Sequence, residues 1–283
     1  MYNDNEHLEK FKETASIINW FDYFSVEVWK MLKANFDLGN RLAAINEIEL
    51  TNKLVRELSL LSTYQRYHLP HRTWKAKNES TNGNDLEIII EIEDDKYLLF
   101  PCQCKRVSFK KGKSVYEKLW YSTDEHGFQV ENLIKYAKSW KGIPIYMLYN
   151  YTSTQSVSKT YGATICSGSY LASQYYFGDN YPPKLTFDEL HPPSIELSRF
   201  FEKLELVDDI YIDYAPKFYS KNELSSLPGW DEINPPIEFS DTRVIQSDFS
   251  KIGIEERISS NFSPKFRIML SLTDYNHRII NYK

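Results

Sequence analysis

The sequence predicts an α/β (α+β) fold: a mixed central sheet flanked by helices, with N-terminal helical and C-terminal extensions. Three observations predict it. The stretch 82–106, NGNDLEIIIEIEDDKYLLFPCQCKR, reads as two β-strands around an acidic turn, because Ile, Leu, Phe and Tyr dominate between its polar ends. Ahead of it, Leu42–Ser62 repeats apolar residues at helical spacing. Behind it, Phe128–Trp140 reads as a helix and Ile143–Tyr149 as an interior strand. Helix, strand, strand, helix, strand gives a sheet with a helical layer on each side.

Residues 1–40 read as helical, with Ile17, Ile18, Trp20, Phe21, Phe24, Val26, Val28, Trp29, Leu32 and Phe36 forming a broad apolar surface that packs on the core, a partner-binding helix being the competing reading. In Leu42–Ser62, Glu47, Thr51, Leu54, Val55 and Leu58 share one face, and Glu49, Lys53 and Arg56 another. Glu47 therefore puts a carboxylate on the core-facing side, where it needs a partner. A boundary acid paired with a nearby Arg is the competing reading. His68–Glu79, basic and aromatic, reads as an extended connection or short edge strand. Its Arg72, Lys75 and Lys77 either line a phosphate path or belong to a solvated loop.

In the hairpin, Asp85, Glu87, Ile89 and Glu91 share a face, and Leu86, Ile88, Ile90 and Ile92 share the other. Gln103 and Lys105 also share a face. A loop over Asp94–Lys96 sets Asp85 opposite Lys105 and Glu87 opposite Gln103, whereas a two-residue loop sets Asp85 opposite Cys104 and separates the polar groups. The expectation is thus an odd-length loop or a bulge, with a carboxylate beside an amide and an ammonium. Beyond it, Arg106, Lys110, Lys111, Lys113 and Lys118 alternate with Phe109, Tyr116, Trp120 and Tyr121, a pattern in which cations meet phosphates and rings stack on bases. A plain surface loop is the alternative.

Val130, Leu133, Ile134 and Ala137 give the helix 128–140 its buried face, with Gln129 in its first turn. After a Ser/Thr-rich connection, TYGATICSGSYLASQYYF reads as a strand-like piece and a short helix, and Ser194–Leu204 as a helix behind Pro192-Pro193. From 205 on, polar turns alternate with aromatic pieces, and FRIMLSL reads as a late strand. The expected division is 1–40 helical extension, 41–155 core and 156–283 extension packed on that core.

Composition narrows the function classes. The net charge is −5 over 283 residues, so nucleic-acid binding has to use a local basic surface. Three cysteines make neither a disulfide framework nor a CxxC zinc site, and the six histidines form no HxxxH or HExxH pair. Neither a phosphate-loop GK[ST] nor a GxSxG serine motif is present. Met1–Lys10 is polar and acidic, unlike a secretory leader, and no apolar run approaches a membrane span, so the reading is a cytoplasmic protein with reduced thiols.

Asp85 followed by Gln103-Cys104-Lys105 is a metal-nuclease pattern: an acid anchors a hard divalent cation, an amide oxygen and a backbone carbonyl complete the shell, and a lysine attends the attacking water. Over roughly Ile45–Tyr149 it resembles the PD-(D/E)xK nuclease superfamily, and PCQCKR resembles the Gln-x-Lys variant in Mrr-like restriction endonucleases. A bacterial group sharing the NGxD and QxKR motifs resembles the downstream tract as well. The resemblance implies a restriction-endonuclease-like core and metal-dependent hydrolysis of DNA, rather than RNA, in restriction or anti-phage defence. It implies Asp85, Gln103 and Lys105 as catalytic residues and Mg2+ (or Mn2+) held by Asp85, Gln103 and Glu47, with Glu49 or Glu87 as the alternative extra acid. Gln129, Arg106, Lys110 and Lys111 are the substrate-binding candidates, and a homodimer or a defence-system partner protein is implied. The departure is Gln103 where the commoner pattern has an acid, which implies weaker metal binding. The rival reading is a nuclease-like fold with little or no catalysis, acting as a nucleic-acid-binding or protein-interaction module.

Overall fold

The structure, a computed structural model, describes residues 17–39, 45–63, 71–75, 85–110, 112–120, 122–123, 127–153, 156–175, 184–204, 213–224, 226–227 and 266–271. The fold is mixed α/β: a central mixed sheet flanked by helices, the class expected from the sequence. Helix α1 (Ile17–Asp37) turns Trp20, Phe21, Phe24, Val28 and Leu32 inward. Helix α2 (Glu47–Thr63) starts five residues later than Leu42, because Asn46 caps it. The Asn46 Oδ1 accepts the Glu49 N–H at 2.8 Å while the Glu49 carboxylate accepts the Asn46 N–H at 2.8 Å, a reciprocal capping box.

Strands β1 (His71–Lys75), β2 (Leu86–Glu93) and β3 (Lys96–Arg106) follow. The small strands β4 (Ser108–Lys110) and β5 (Lys113–Tyr116) pair as a hairpin, as do β6 (Ser122–Thr123) and β7 (Gly127–Phe128). Helix α3 (Gln129–Ser139) then crosses to β8 (Ile145–Tyr149), which runs parallel to β3. A 3-10 turn leads into β9 (Ala163–Ser167) and α4 (Gly168–Tyr175). The remaining elements are β10 (Leu185–Thr186), α5 (Phe187–Leu190), β11 (Ile195–Glu196), α6 (Leu197–Lys203), α7 (Lys221–Leu224) and β12 (Phe266–Ser271).

Seven strands form the main sheet in the order β1-β12-β2-β3-β8-β9-β11. The strand expected over FRIMLSL is β12. It lies inside the sheet, parallel to β2 and antiparallel to β1. The sheet thus takes strands from both sides of residue 156. One face carries Leu86, Ile88, Ile90, Phe100 and Cys104, and meets the α1, α2 and α6 side; the Phe100 and Phe200 rings pack edge to face. The other face carries Glu87, Ile89 and Leu99 and meets Tyr136 of α3 and Leu224 of α7.

The hairpin register differs from the expected one by two residues. Glu93 pairs with Lys96 across a two-residue turn, with Asp95 in the left-handed region (φ 54°), a conformation Asp tolerates. The register then shifts between Glu91 and Glu93, so that Glu91 faces Tyr97 and Leu86 faces Cys102. The extra residue, Ile92, is a bulge on β2. Asp85 therefore lies abreast of Gln103 rather than Lys105, and Glu87 faces Pro101 rather than Gln103. The bulge was expected as one of two ways to bring the polar groups together; the pairs first assigned to it are corrected.

Candidate active site

The polar groups gather where β2 begins and β3 ends. Asp85 is tied to β3 by its own N–H, which donates to the Cys102 carbonyl at 3.0 Å. Its carboxylate Oδ2 accepts the Cys104 N–H at 2.8 Å and the Gln103 side-chain amide. The bulge makes this contact possible, since without it Asp85 would stand against Cys104 and Gln103 would point to the opposite face. Asp85 and Gln103 are both buried, with Gln103 only 1% exposed. The Gln103 Oε1 is buried and has no hydrogen-bond partner.

Lys105 lies two residues further along β3, on the Gln103 face. Its Nζ donates to Gln129 Oε1 at 2.9 Å and stands 3.8 Å from Glu47 Oε1. Gln129 opens α3 and Glu47 opens α2, so the first turns of two helices from opposite sides of the sheet meet at this ammonium. Lys105 is buried, whereas the Glu47 side chain is one-third exposed and Gln129 is partly exposed, so the cluster opens on their side. Glu47 thus stands beside a lysine, where the competing reading gave it an arginine. Glu49, the fallback acid, is occupied by the Asn46 cap.

A sequence family described as "Family of unknown function (DUF6615)" matches residues 18–252. The chain belongs to the DUF6615 family. None of the curated proteins and none of the solved structures matches it.

In this DUF6615 chain α2 is held to the sheet beneath the site. The Thr51 hydroxyl lies 2.9 Å from the Glu47 carbonyl and 3.0 Å from the Tyr149 hydroxyl, which in turn faces the Cys104 sulfur at 3.9 Å. Burial pushes the Tyr149 phenol well above its ordinary range, and the Cys102 thiol likewise. Cys102, Cys104 and Cys166 are all free and buried.

Glu87, the other candidate acid, is not available to a metal. It is fully buried, paired with the Arg267 guanidinium across the β2–β12 ladder, and accepts the Tyr136 hydroxyl at 2.7 Å. Sequence reasoning missed this network. Its signal is a lone arginine inside the apolar strand Phe266–Leu270, since a cation in such a strand needs a buried acid.

The basic stretch is corrected as a stacking surface. Tyr116 and Trp120 are buried, and Phe109 packs edge to face on Phe36 and Tyr151. Lys110 is paired with Glu117. Arg106 donates to the Val107 carbonyl at 2.9 Å; burial lowers its pKa, and Glu47, Glu117 and Glu49 oppose that shift. Lys111, Tyr121 and Lys77 lie outside the described residues, and for Arg72 and Lys75 only the strand is described. Among the described residues no group of three His, Cys, Asp or Glu side chains is arranged to hold a metal. A site here would have to use the Gln103 amide: its nitrogen touches the Asp85 carboxylate and its oxygen is buried without a partner, so the side chain has to turn that hard oxygen toward Asp85 to share a cation with it.

Proposed function

We propose that this protein is a metal-dependent nuclease hydrolysing phosphodiester bonds in DNA, related to the PD-(D/E)xK superfamily and its Mrr-like Gln-x-Lys branch. One observation carries the reading: Asp85 and Gln103 are in contact, Lys105 follows on the same strand face, and Glu47 and Gln129 converge on Lys105. Asp85, the Gln103 carbonyl oxygen and Glu47 would hold a divalent cation, Mg2+ or Mn2+ by the hardness of the donors. Such an ion polarises a phosphoryl oxygen and acidifies bound water.

The chain's own residues then act as follows. The Cys104 N–H and the Gln103 amide both bind the same oxygen of Asp85 and fix its carboxylate in place. Gln129 and Glu47 hold the Lys105 ammonium in one orientation, so that it orients the attacking water and offsets the charge growing on the phosphate. Arg106, partly exposed beside this end of β3, is the candidate for a neighbouring phosphate. Among the described residues no helix is long and apolar enough to cross a membrane, in keeping with a cytoplasmic role in restriction or anti-phage defence, alone as a dimer or with a partner protein.

A second reading, a nuclease-like fold serving as a binding or interaction module, is favoured by two observations: Gln103 replaces an acid, and the nearby Lys110 is neutralised by Glu117. Plasmid DNA incubated with Mg2+ or Mn2+ separates the two. Cutting by the wild type, lost in Asp85→Ala and in Lys105→Ala with circular dichroism unchanged, supports the nuclease. Wild-type protein that cuts no substrate under either metal refutes it.

A further inference from the structure

Gln103 presents a conflict that its surroundings do not resolve. A carboxylate only accepts hydrogen bonds, so an amide against Asp85 must offer its NH2 group. Gln103 does so, and its Nε2 also lies 3.4 Å from the Cys104 carbonyl. The consequence is a carbonyl oxygen buried with no donor on it. Native proteins rarely leave such an acceptor unmet. A divalent cation is a partner that such an oxygen can meet together with a carboxylate, once the amide turns.

We propose that Gln103 is a reversible lock on Asp85. Without metal its NH2 group occupies the carboxylate; when a divalent cation binds, the side-chain amide turns over and presents Oε1 to the ion. The terminal torsion of Gln is broad and roughly two-fold, so N and O exchange places with little change in packing. The lock explains why an amide stands where an acid would bind metal more strongly. An acid in contact with Asp85 leaves two carboxylates facing each other in a buried site whenever the ion is absent. The amide gives the metal-free carboxylate a hydrogen-bond donor without adding a second negative charge, and makes metal binding readily reversible. The inference rests on the nuclease reading for the presence of the ion, but its test needs no DNA.

The experiment uses the full chain, wild type, Gln103→Glu and Gln103→Met, melted in EDTA and in Mg2+ alone. In EDTA, Gln103→Glu melts roughly 5 °C below wild type, a shift expected from a few lost contacts in a protein this size. Mg2+ raises the melting temperature of Gln103→Glu by more than it raises wild type, and leaves Gln103→Met unmoved. In 15N-labelled wild type the Gln103 side-chain NH2 resonance, assigned by its loss in Gln103→Met, shifts as Mg2+ is added. This last measurement stands even if Gln103→Glu does not fold. Gln103→Glu melting at or above wild type in EDTA overturns the lock, and so does an NH2 resonance that Mg2+ does not move. A moving resonance with uncut plasmid keeps the lock and refutes the nuclease; cutting with a still resonance does the reverse.

Discussion

Replacing Arg267 by Met tests the deepest feature of the fold. Arg267 and Glu87 are 1% and 0% exposed, and they are paired side by side on β12 and β2. Methionine fills much of the arginine's volume and keeps the strand, so the loss is that of the charge partner. Breaking a buried pair by removing one member costs about 3–5 kcal/mol, because the other charge stays buried. Glu87 retains the Tyr136 hydroxyl, which puts the expected loss near the low end, ~3 kcal/mol. Against a typical total of roughly 5–15 kcal/mol, that is a large fraction. Tyr136→Phe alone should cost about 1.5–3 kcal/mol, the worth of a hydrogen bond to a charged group. The triple variant Arg267→Met/Glu87→Met/Tyr136→Phe removes these three polar members together and should recover to within about 1 kcal/mol of wild type. Urea unfolding followed by circular dichroism measures all three. A single Arg267→Met loss below ~1 kcal/mol would show that the pair does not bind β12 to the sheet. A triple variant no more stable than the single would show that the cost is packing, not charge.

Gly162→Ala should destabilise by more than about 3 kcal/mol in the same urea assay, because a Cβ there would meet the Ser25 carbonyl oxygen of α1 at 1.8 Å. Tyr149→Phe should cost about 1 kcal/mol, the value of a neutral hydrogen bond, and loosen the hold of Thr51 on the first turn of α2. Glu47→Gln should raise the Mg2+ concentration for half-maximal plasmid cutting roughly 10-fold while leaving the melting temperature near wild type. Stability should fall as pH rises above about 10, the ordinary phenol value, because burial raises the folded-state pKa of Tyr116, Tyr136 and Tyr149. A phenol with a raised folded pKa gives its full stabilisation below the unfolded value and loses it as pH climbs toward the folded one. Unfolding free energy that stays flat between neutral pH and strong alkali contradicts the assignment.

The order of elements was legible because periodicity is local: α2, β2, β3, α3 and β8 each carry their own repeat. Register was half legible. A three-residue loop and a two-residue turn with one bulge both bring Asp85 onto the Gln103 face, but they differ by two positions in what stands opposite. Alternation therefore predicts which face a residue takes and is blind to which of two partners it meets. The start of α2 was missed for want of weighing Asn46-x-x-Glu49 as a cap, although that pattern is present in the sequence. The late strand was legible as a strand but not as an interior one. Its partner β2 is remote in sequence, and the signal that could have joined them is the Glu87–Arg267 pair on the parallel ladder they form. The aromatic residues after β3 were misread because rings interleaved with lysines look the same whether they point to a ligand or to α1.

Glu87 and Asp85 lie two residues apart on one strand face, and the protein treats them in opposite ways. Glu87 receives a guanidinium and a phenol, and both of its oxygens are met from within the chain. Among the partners of Asp85 are a backbone N–H and an amide, and that amide's own oxygen is left without a donor. Every unmet buried group lowers stability. An incomplete polar cluster survives selection where something outside the chain completes it. The two helix N-termini that bring Glu47 and Gln129 to Lys105 strengthen the contrast, because they gather three polar side chains at the same end of β3 as the unmet Gln103 oxygen. The difference between the two neighbouring acids, rather than the identity of either, is the physical argument for a site at Asp85.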